Sequence, residues 1–153
     1  MSTYTVIIPA RFASQRLPGK PLRDIAGKPL IQRTFEAVAA SQAERIVVAT
    51  DDEGIAQVVR GFGGEVCMTS AALNSGTDRV AEAAGLLGLD PENIVVNVQG
   101  DEPDMPGKLI DQVVEALTMN DTAKIATASC VLDEPAQYSD PSVVKVEIGR
   151  AHV

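Results

Sequence analysis

The spacing of hydrophobic and polar positions changes repeatedly along the chain, and each change marks an element. Residues 4–8 are a short β-branched apolar run closed by Pro9, the pattern of a buried strand. Residues 10–28 hold Pro18, Gly19, Pro21 and Gly27 with little periodicity, and read as a loop. From Pro29, a residue suited to a helix start, Leu30, Ile31, Thr34, Phe35 and Val38 recur at helical spacing. Residues 45–50 form a second strand. Asp51 and Asp52 then supply caps for a helix carrying Ile55, Val58, Val59 and Phe62, which Gly63 and Gly64 end. Residues 65–68 read as a third strand. Residues 74–78 make a capped turn into a helix with Val80, Ala83, Ala84 and Leu87 on one face. Residues 93–98 are nearly all apolar, as in a strand covered on both faces. A helix opening at Pro106 carries Leu109, Ile110, Val113, Val114 and Leu117, and residues 125–132 and 143–146 read as two more strands.

Strand and helix alternate throughout, which predicts a three-layer α/β fold around a parallel sheet with right-handed crossovers. The chain has 153 residues, 45% apolar and 22% charged, enough to bury a core without disulfide or metal staples. The sequence has neither an apolar run approaching the ~18 residues of a membrane span nor a charged-then-apolar leader at its start, so a cytoplasmic protein without membrane association is expected. Lys and Arg number 13 against 21 Asp and Glu, a net charge of −8, which argues against nucleic acid as a partner. The cations Arg11, Arg16, Lys20, Arg23 and Lys28 nevertheless cluster around a single acid, Asp24, a pattern suited to a small anion. Cys67 and Cys130 lie in separate apolar runs without metal-ligand spacing, and both are expected in the core.

Residues 147–153 break the strand pattern of 143–146. Glu-Ile-Gly-Arg-Ala-His-Val is the in-frame translation of a common sequencing adapter preceded by one guanine, so 1–146 is expected to be native domain and 147–153 a read-through tail. Genomic DNA encoding the same seven codons after Val146 overturns that expectation. The read-through reading removes His152, the only histidine, from any catalytic or metal-binding assignment.

Ligands of open α/β sheets bind beyond the carboxyl ends of the strands. Three segments qualify. In 9–21, Arg11, Arg16 and Lys20 surround a glycine, and several cations of this kind suit a triphosphate. The segment matches neither a Walker loop nor a dinucleotide fingerprint, and its plain alternative is a solvated loop. After the fourth strand, Asp101 follows Gln99 and Gly100. A carboxylate there suits Mg²⁺ completed by water and phosphate oxygens, or else it caps a helix or faces solvent. Asn74, Ser75, Gly76, Thr77, Asp78 and Arg79 open a helix whose free amides suit a base or an anion, or form an ordinary cap.

Pro9-Ala10-Arg11, Arg16-Leu17-Pro18-Gly19-Lys20-Pro21, Gly27-Lys28-Pro29, Ala49-Thr50-Asp51, Ser75-Gly76-Thr77-Asp78-Arg79 and Asn97-Val98-Gln99-Gly100-Asp101-Glu102-Pro103 occur in that order. As a set they resemble the 3-deoxy-manno-octulosonate (Kdo) cytidylyltransferase family, the CMP-Kdo synthetases of Gram-negative bacteria, over residues 3–146. The resemblance implies a Rossmann-like nucleotidyltransferase fold, with 1–146 as its N-terminal part. It implies CMP transfer from CTP to the anomeric hydroxyl of Kdo, with release of pyrophosphate, for lipopolysaccharide synthesis. Arg11, Arg16 and Lys20 would bind triphosphate and Asp101 would hold Mg²⁺. Ala10, Ser75 and Gly76 would belong to the nucleotide site, and Gln99 and Arg79 would contact the sugar or the nucleotide. Leu73 stands where the family usually has His. Members of the family are longer, the remainder carrying a second metal-binding Asp, most of the sugar pocket and the contacts of a homodimer. The chain alone is therefore expected to be inactive and to expose apolar surface. Other CMP-sugar or sugar nucleotidyltransferases, and a non-catalytic nucleotide-binding module, are the alternative readings.

Overall fold

A computed structural model describes residues 3–13 and 18–146. The loop residues 14–17, with Arg16, and the tail 147–153 lie outside the described residues. Four parallel strands, β1 (Tyr4–Ala10), β4 (Arg45–Thr50), β5 (Glu65–Met68) and β6 (Ile94–Asn97), form the main sheet in the order β5-β4-β1-β6. The strands β2 (Asp24–Ile25) and β3 (Lys28–Pro29) form a small antiparallel hairpin at the end of the segment read as loop, taking in Pro29, the expected helix start. Its two-residue turn has positive φ at Ala26 and Gly27, a shape that matches strand twist. Arg33 closes the hairpin by donating to the carbonyls of Ile25 and Ala26.

The helices are α1 (Leu30–Val38), α2 (Glu53–Gly61), α3 (Gly76–Leu86) and α4 (Gly107–Thr118). Alternation along β1 sends Val6, Ile8 and Ala10 to one face, where Ile31 and Val38 of α1, Ile55 and Val59 of α2, and Ile110 and Val114 of α4 cover them. Ile7, with Val47 and Ala49 of β4, faces Val80 and Ala83 of α3 on the opposite side. This is the expected three-layer α/β architecture with a parallel sheet.

Pro9 does not end β1. The ladder to β4 continues to Ala10 opposite Thr50, whereas the ladder to β6 stops at Ile7 opposite Asn97. Val98 N–H donates to the Ile7 carbonyl, so residue 9, of the same parity, faces the side where β6 has already turned away. Its missing N–H therefore deprives no partner.

Three expectations fail at the far edge of the sheet. Residues 125–132 and 143–146 form no strand: Ile125, Val131 and Val144 are more than four-fifths exposed. A strand requires a ladder partner. Residues 124–128 instead form one wall of a cavity of about 470 Å³ whose other walls are β6 and α4. Cys130, two residues beyond that wall, is exposed, while Cys67 is buried as expected. Finally, β6 is half-buried rather than covered on both faces, because its residues line that cavity.

Candidate active site

The sheet reverses its winding between β1 and β6, and a cleft of about 470 Å³ opens at the carboxyl ends of these two strands. Ala10 and Arg11 reach it from β1, Lys20 from the short 3-10 turn Lys20–Leu22, Gly76 and Arg79 from α3, and Gln99, Gly100 and Asp101 from the loop after β6. Segments more than eighty residues apart thus meet, as their separate chemistry suggested. Arg16 lies outside the described residues.

The loop after β6 is fixed by close packing. A Cβ on Gly100 would lie 2.8 Å from the Pro9 carbonyl oxygen, so a larger residue cannot sit there without moving β1. Thr34, buried in α1, donates to the Gly100 carbonyl at 3.1 Å, and Glu102 N–H donates to the Gln99 carbonyl at 3.2 Å to close the turn. Gln99 Nε2 donates to Asn97 Oδ1 at 3.1 Å, which orients its amide. On the opposite wall, Gly19 N–H donates to the Phe12 carbonyl at 3.0 Å and ties the two ends of the cationic loop together.

Lys20 Nζ meets Asp101 Oδ2 at 2.5 Å across the cleft. Arg11 Nη1 donates to the Asn74 carbonyl at 3.5 Å, bringing a second cation beside the start of α3. Lys28, counted with the cationic cluster, is engaged elsewhere: its ammonium pairs with Glu36 of α1 at 2.7 Å and holds that carboxyl below the usual glutamate range.

The segment before α3 forms the capped helix start that its sequence offered as one reading. The Ser75 hydroxyl accepts from Asp78 N–H at 3.0 Å and donates to Asp78 Oδ2 at 2.7 Å, so it serves as the helix cap. The backbone of Gly76 lines the cleft and brings the positive end of an eleven-residue helix to it. Arg79 is only 2% exposed. Its guanidinium donates to Asp51 Oδ2 at 3.1 Å, Thr69 Oγ1 at 2.5 Å and the Ser70 carbonyl, joining the ends of β4 and β5 to α3. Asp51 is thus neither cap nor exposed ligand. The cap of α2 is Asp52, which accepts from Ile55 N–H at 2.8 Å. Asp51 Oδ1 is buried and accepts no hydrogen bond among the described residues.

Asp101 is the only acid among the described residues that line the cleft, and no group of three His, Cys, Asp or Glu side chains among them could hold a metal. One hard carboxylate oxygen donor fits Mg²⁺ where a nucleotide supplies further oxygens, and does not make a self-sufficient metal site. Two arginines, one of them buried, one lysine and a helix N-terminus make the rest of the cleft cationic, in a molecule of net charge −8.

Sequence reasoning missed the strut Arg79–Asp51–Thr69, because three residues spread over 28 positions give no local signal. It also missed the bracing role of Thr34, whose helical spacing looked like ordinary core.

Residues 5–151 match the family model described as cytidylyltransferase. A 3-deoxy-manno-octulosonate cytidylyltransferase of Hahella chejuensis is 54% identical over 146 residues, covering 95% of this chain and 57% of that protein. The enzyme of the same description from Pseudomonas fluorescens is 52% identical over 145 residues, with the same coverages. Among solved structures, CMP:2-keto-3-deoxy-manno-octonic acid synthetase complexed with CTP superposes with a TM-score of 0.73 at 38% identity, covering 79% of this chain and 49% of that one. The chain spans little more than half the length of the curated relatives it matches.

Proposed function

The chain belongs to the cytidylyltransferase family, and from that premise we propose that its full-length protein transfers CMP from CTP to the anomeric hydroxyl of Kdo and releases pyrophosphate. The observation that carries the reading is the convergence of Arg11, Lys20, Asp101 and the N-terminus of α3 on one cleft at the β1–β6 switch point. The names of the relatives supply the acceptor.

In this reading Arg11 and Lys20, with Arg16, take the triphosphate and neutralise the charge that collects on departing pyrophosphate. The sugar hydroxyl attacks the α-phosphorus in line, a new O–P bond forms as the α–β bridging bond breaks, and the hydroxyl proton passes to water. Such a reaction depends on positioning and charge more than on covalent help. Mg²⁺ held at Asp101, when bound with nucleotide, supplies further neutralisation of the phosphates. Ala10 and the Gly76 backbone border the nucleotide, and Gln99, which lines the cleft, is the candidate contact to sugar or ribose. Arg79 acts through its neighbours, since its guanidinium is committed to Asp51 and Thr69.

The reading extends to a cytoplasmic homodimer that serves lipopolysaccharide synthesis, and to a 153-residue chain that does not turn over by itself. Among the described residues no helix is long and apolar enough to cross a membrane.

The test is pyrophosphate release by a chain of the relatives' full length supplied with Kdo and, in turn, CTP, UTP and GTP. Turnover with CTP, reduced by orders of magnitude in Asp101→Asn, is the expected result. A preference for GTP defeats the nucleotide assignment. Nucleotide binding without turnover favours a non-catalytic module.

A further inference from the structure

The ion pair between Lys20 and Asp101 joins two groups that the proposed function assigns to different partners, the lysine to phosphate and the aspartate to a divalent cation. The residues are 81 positions apart, come from opposite walls of the cleft and meet at 2.5 Å. Each side chain stays close to half exposed, and each is the other's only side-chain partner among the described residues. Asp101 offers the cleft's only carboxylate among the described residues, so a cation that arrives alone must displace an ammonium and gains few ligands in return.

We infer that Lys20 occupies Asp101 while nucleotide is absent, so that the divalent cation is admitted with the triphosphate and not before it. A triphosphate reverses the balance at both ends of the pair. It draws the Lys20 ammonium toward its own oxygens and thereby frees the carboxylate, and it supplies the remaining oxygen ligands that Mg²⁺ requires. Coupling of this kind is reciprocal: whatever the nucleotide adds to cation affinity, the cation adds to nucleotide affinity. The pair is exposed, so its direct contribution is small, and removing it raises cation affinity by about two- to fivefold. The sign separates this device from a plain phosphate-binding lysine. Loss of Lys20 must tighten the cation and loosen the nucleotide at once.

This inference rests on the proposed nucleotide site, and the experiment separates the two. Mn²⁺ is titrated into the nucleotide-free 153-residue chain, with free Mn²⁺ read by electron paramagnetic resonance, and CTP binding is measured separately by calorimetry in EDTA. Lys20→Met is expected to bind Mn²⁺ about two- to fivefold more tightly than the unaltered chain and CTP more weakly. The gain disappears in the double variant Lys20→Met/Asp101→Asn. Lys28→Met, which removes an equal charge from the Glu36 pair outside the cleft, leaves both affinities unchanged. Circular dichroism of each variant establishes that it is folded. Unchanged or weaker Mn²⁺ binding by Lys20→Met overturns the inference while leaving the nucleotide site standing, and so does a gain that survives Asp101→Asn or is reproduced by Lys28→Met. Failure of the unaltered chain to bind CTP both in EDTA and with Mn²⁺ present overturns the nucleotide site itself, and the inference with it.

Discussion

Arg79 and Asp51 show how a side chain at a cleft can serve it without facing the ligand. The guanidinium is almost wholly enclosed, and the pair is charged on both sides. Removing one member strands the other. Arg79→Met is therefore expected to lower unfolding stability by about 3 kcal/mol, the lower end of what breaking a buried pair costs, because Asp51 keeps some access to water. Asp51→Asn placed on top of it should recover part of the loss. Urea denaturation of both single variants and the double measures the coupling, and strictly additive losses refute the pairing. A second residue, Tyr4, makes the stability depend on alkaline pH. Burial, and then the hydrogen bond its hydroxyl donates to Asp111 at 2.5 Å, push the phenol above its ordinary value of 10.0. A group raised in the folded state contributes stability that is complete below the unfolded value and is lost as pH rises through the folded one. Stability should accordingly fall above about pH 10. Tyr4→Phe should cost about 1 kcal/mol at pH 8 and flatten that fall. Urea midpoints at pH 8 and pH 11 test it, and an equally steep decline in the variant excludes Tyr4 as the source.

Between elements, the glycine with the least room for a side chain among those described is Gly107, where α4 meets the chain just beyond α1. A Cβ on Gly107 would lie 2.5 Å from the Ala40 carbonyl carbon and from the Ser41 nitrogen, both backbone atoms that cannot swing aside. Helix propensity favours Ala over Gly by about 1 kcal/mol, but overpacking costs about 1–3 kcal/mol or more, and against rigid backbone the clash wins. Gly85, exposed on α3 with nothing within 4 Å, is the control in which propensity acts alone. Gly107→Ala should lower the melting temperature, and Gly85→Ala should raise it by about 2–4 °C. Equal shifts in the two variants would remove the helix contact from the argument. Sequence periodicity reads such elements well where one face is buried. The runs that became α1, α2, α3 and α4 were legible because their apolar positions repeat on one side, as were the β-branched strands β1 and β4. The hairpin β2–β3 was not legible. Two-residue strands carry no period, and its order depends on Arg33, which is on the next helix. The cleft was legible loop by loop, from Arg11, Lys20 and Asp101 next to glycines, whereas the Lys20–Asp101 and Arg79–Asp51 pairings are properties of the folded sheet alone.

At the scale of the whole molecule, the sheet is finished on one side of β6 and unfinished on the other. Strand propensity in 125–132 and 143–146 is real, but a ladder needs a partner at hydrogen-bonding distance, and β6 is separated from 124–128 by the cavity they share with α4. This is why pattern alone misread those segments. Amides alternate in direction along a parallel strand, and Val98 N–H already points at β1. Val96 therefore faces β1 as well, while Val95 and Asn97 face the open edge. Hydrogen exchange of the 153-residue chain should give Val96 protection close to that of the central strands β1 and β4, with Val95 and Asn97 exchanging orders of magnitude faster. In a chain of the relatives' full length, Val95 and Asn97 should become protected too, if the added chain completes the ladder. Protection at these two positions that appears only as the short chain is concentrated would mean that copies pair edge to edge, as exposed strands tend to do. Concentration-independent protection in the short chain would show that β6 already has a partner, and the account of the open edge would be wrong.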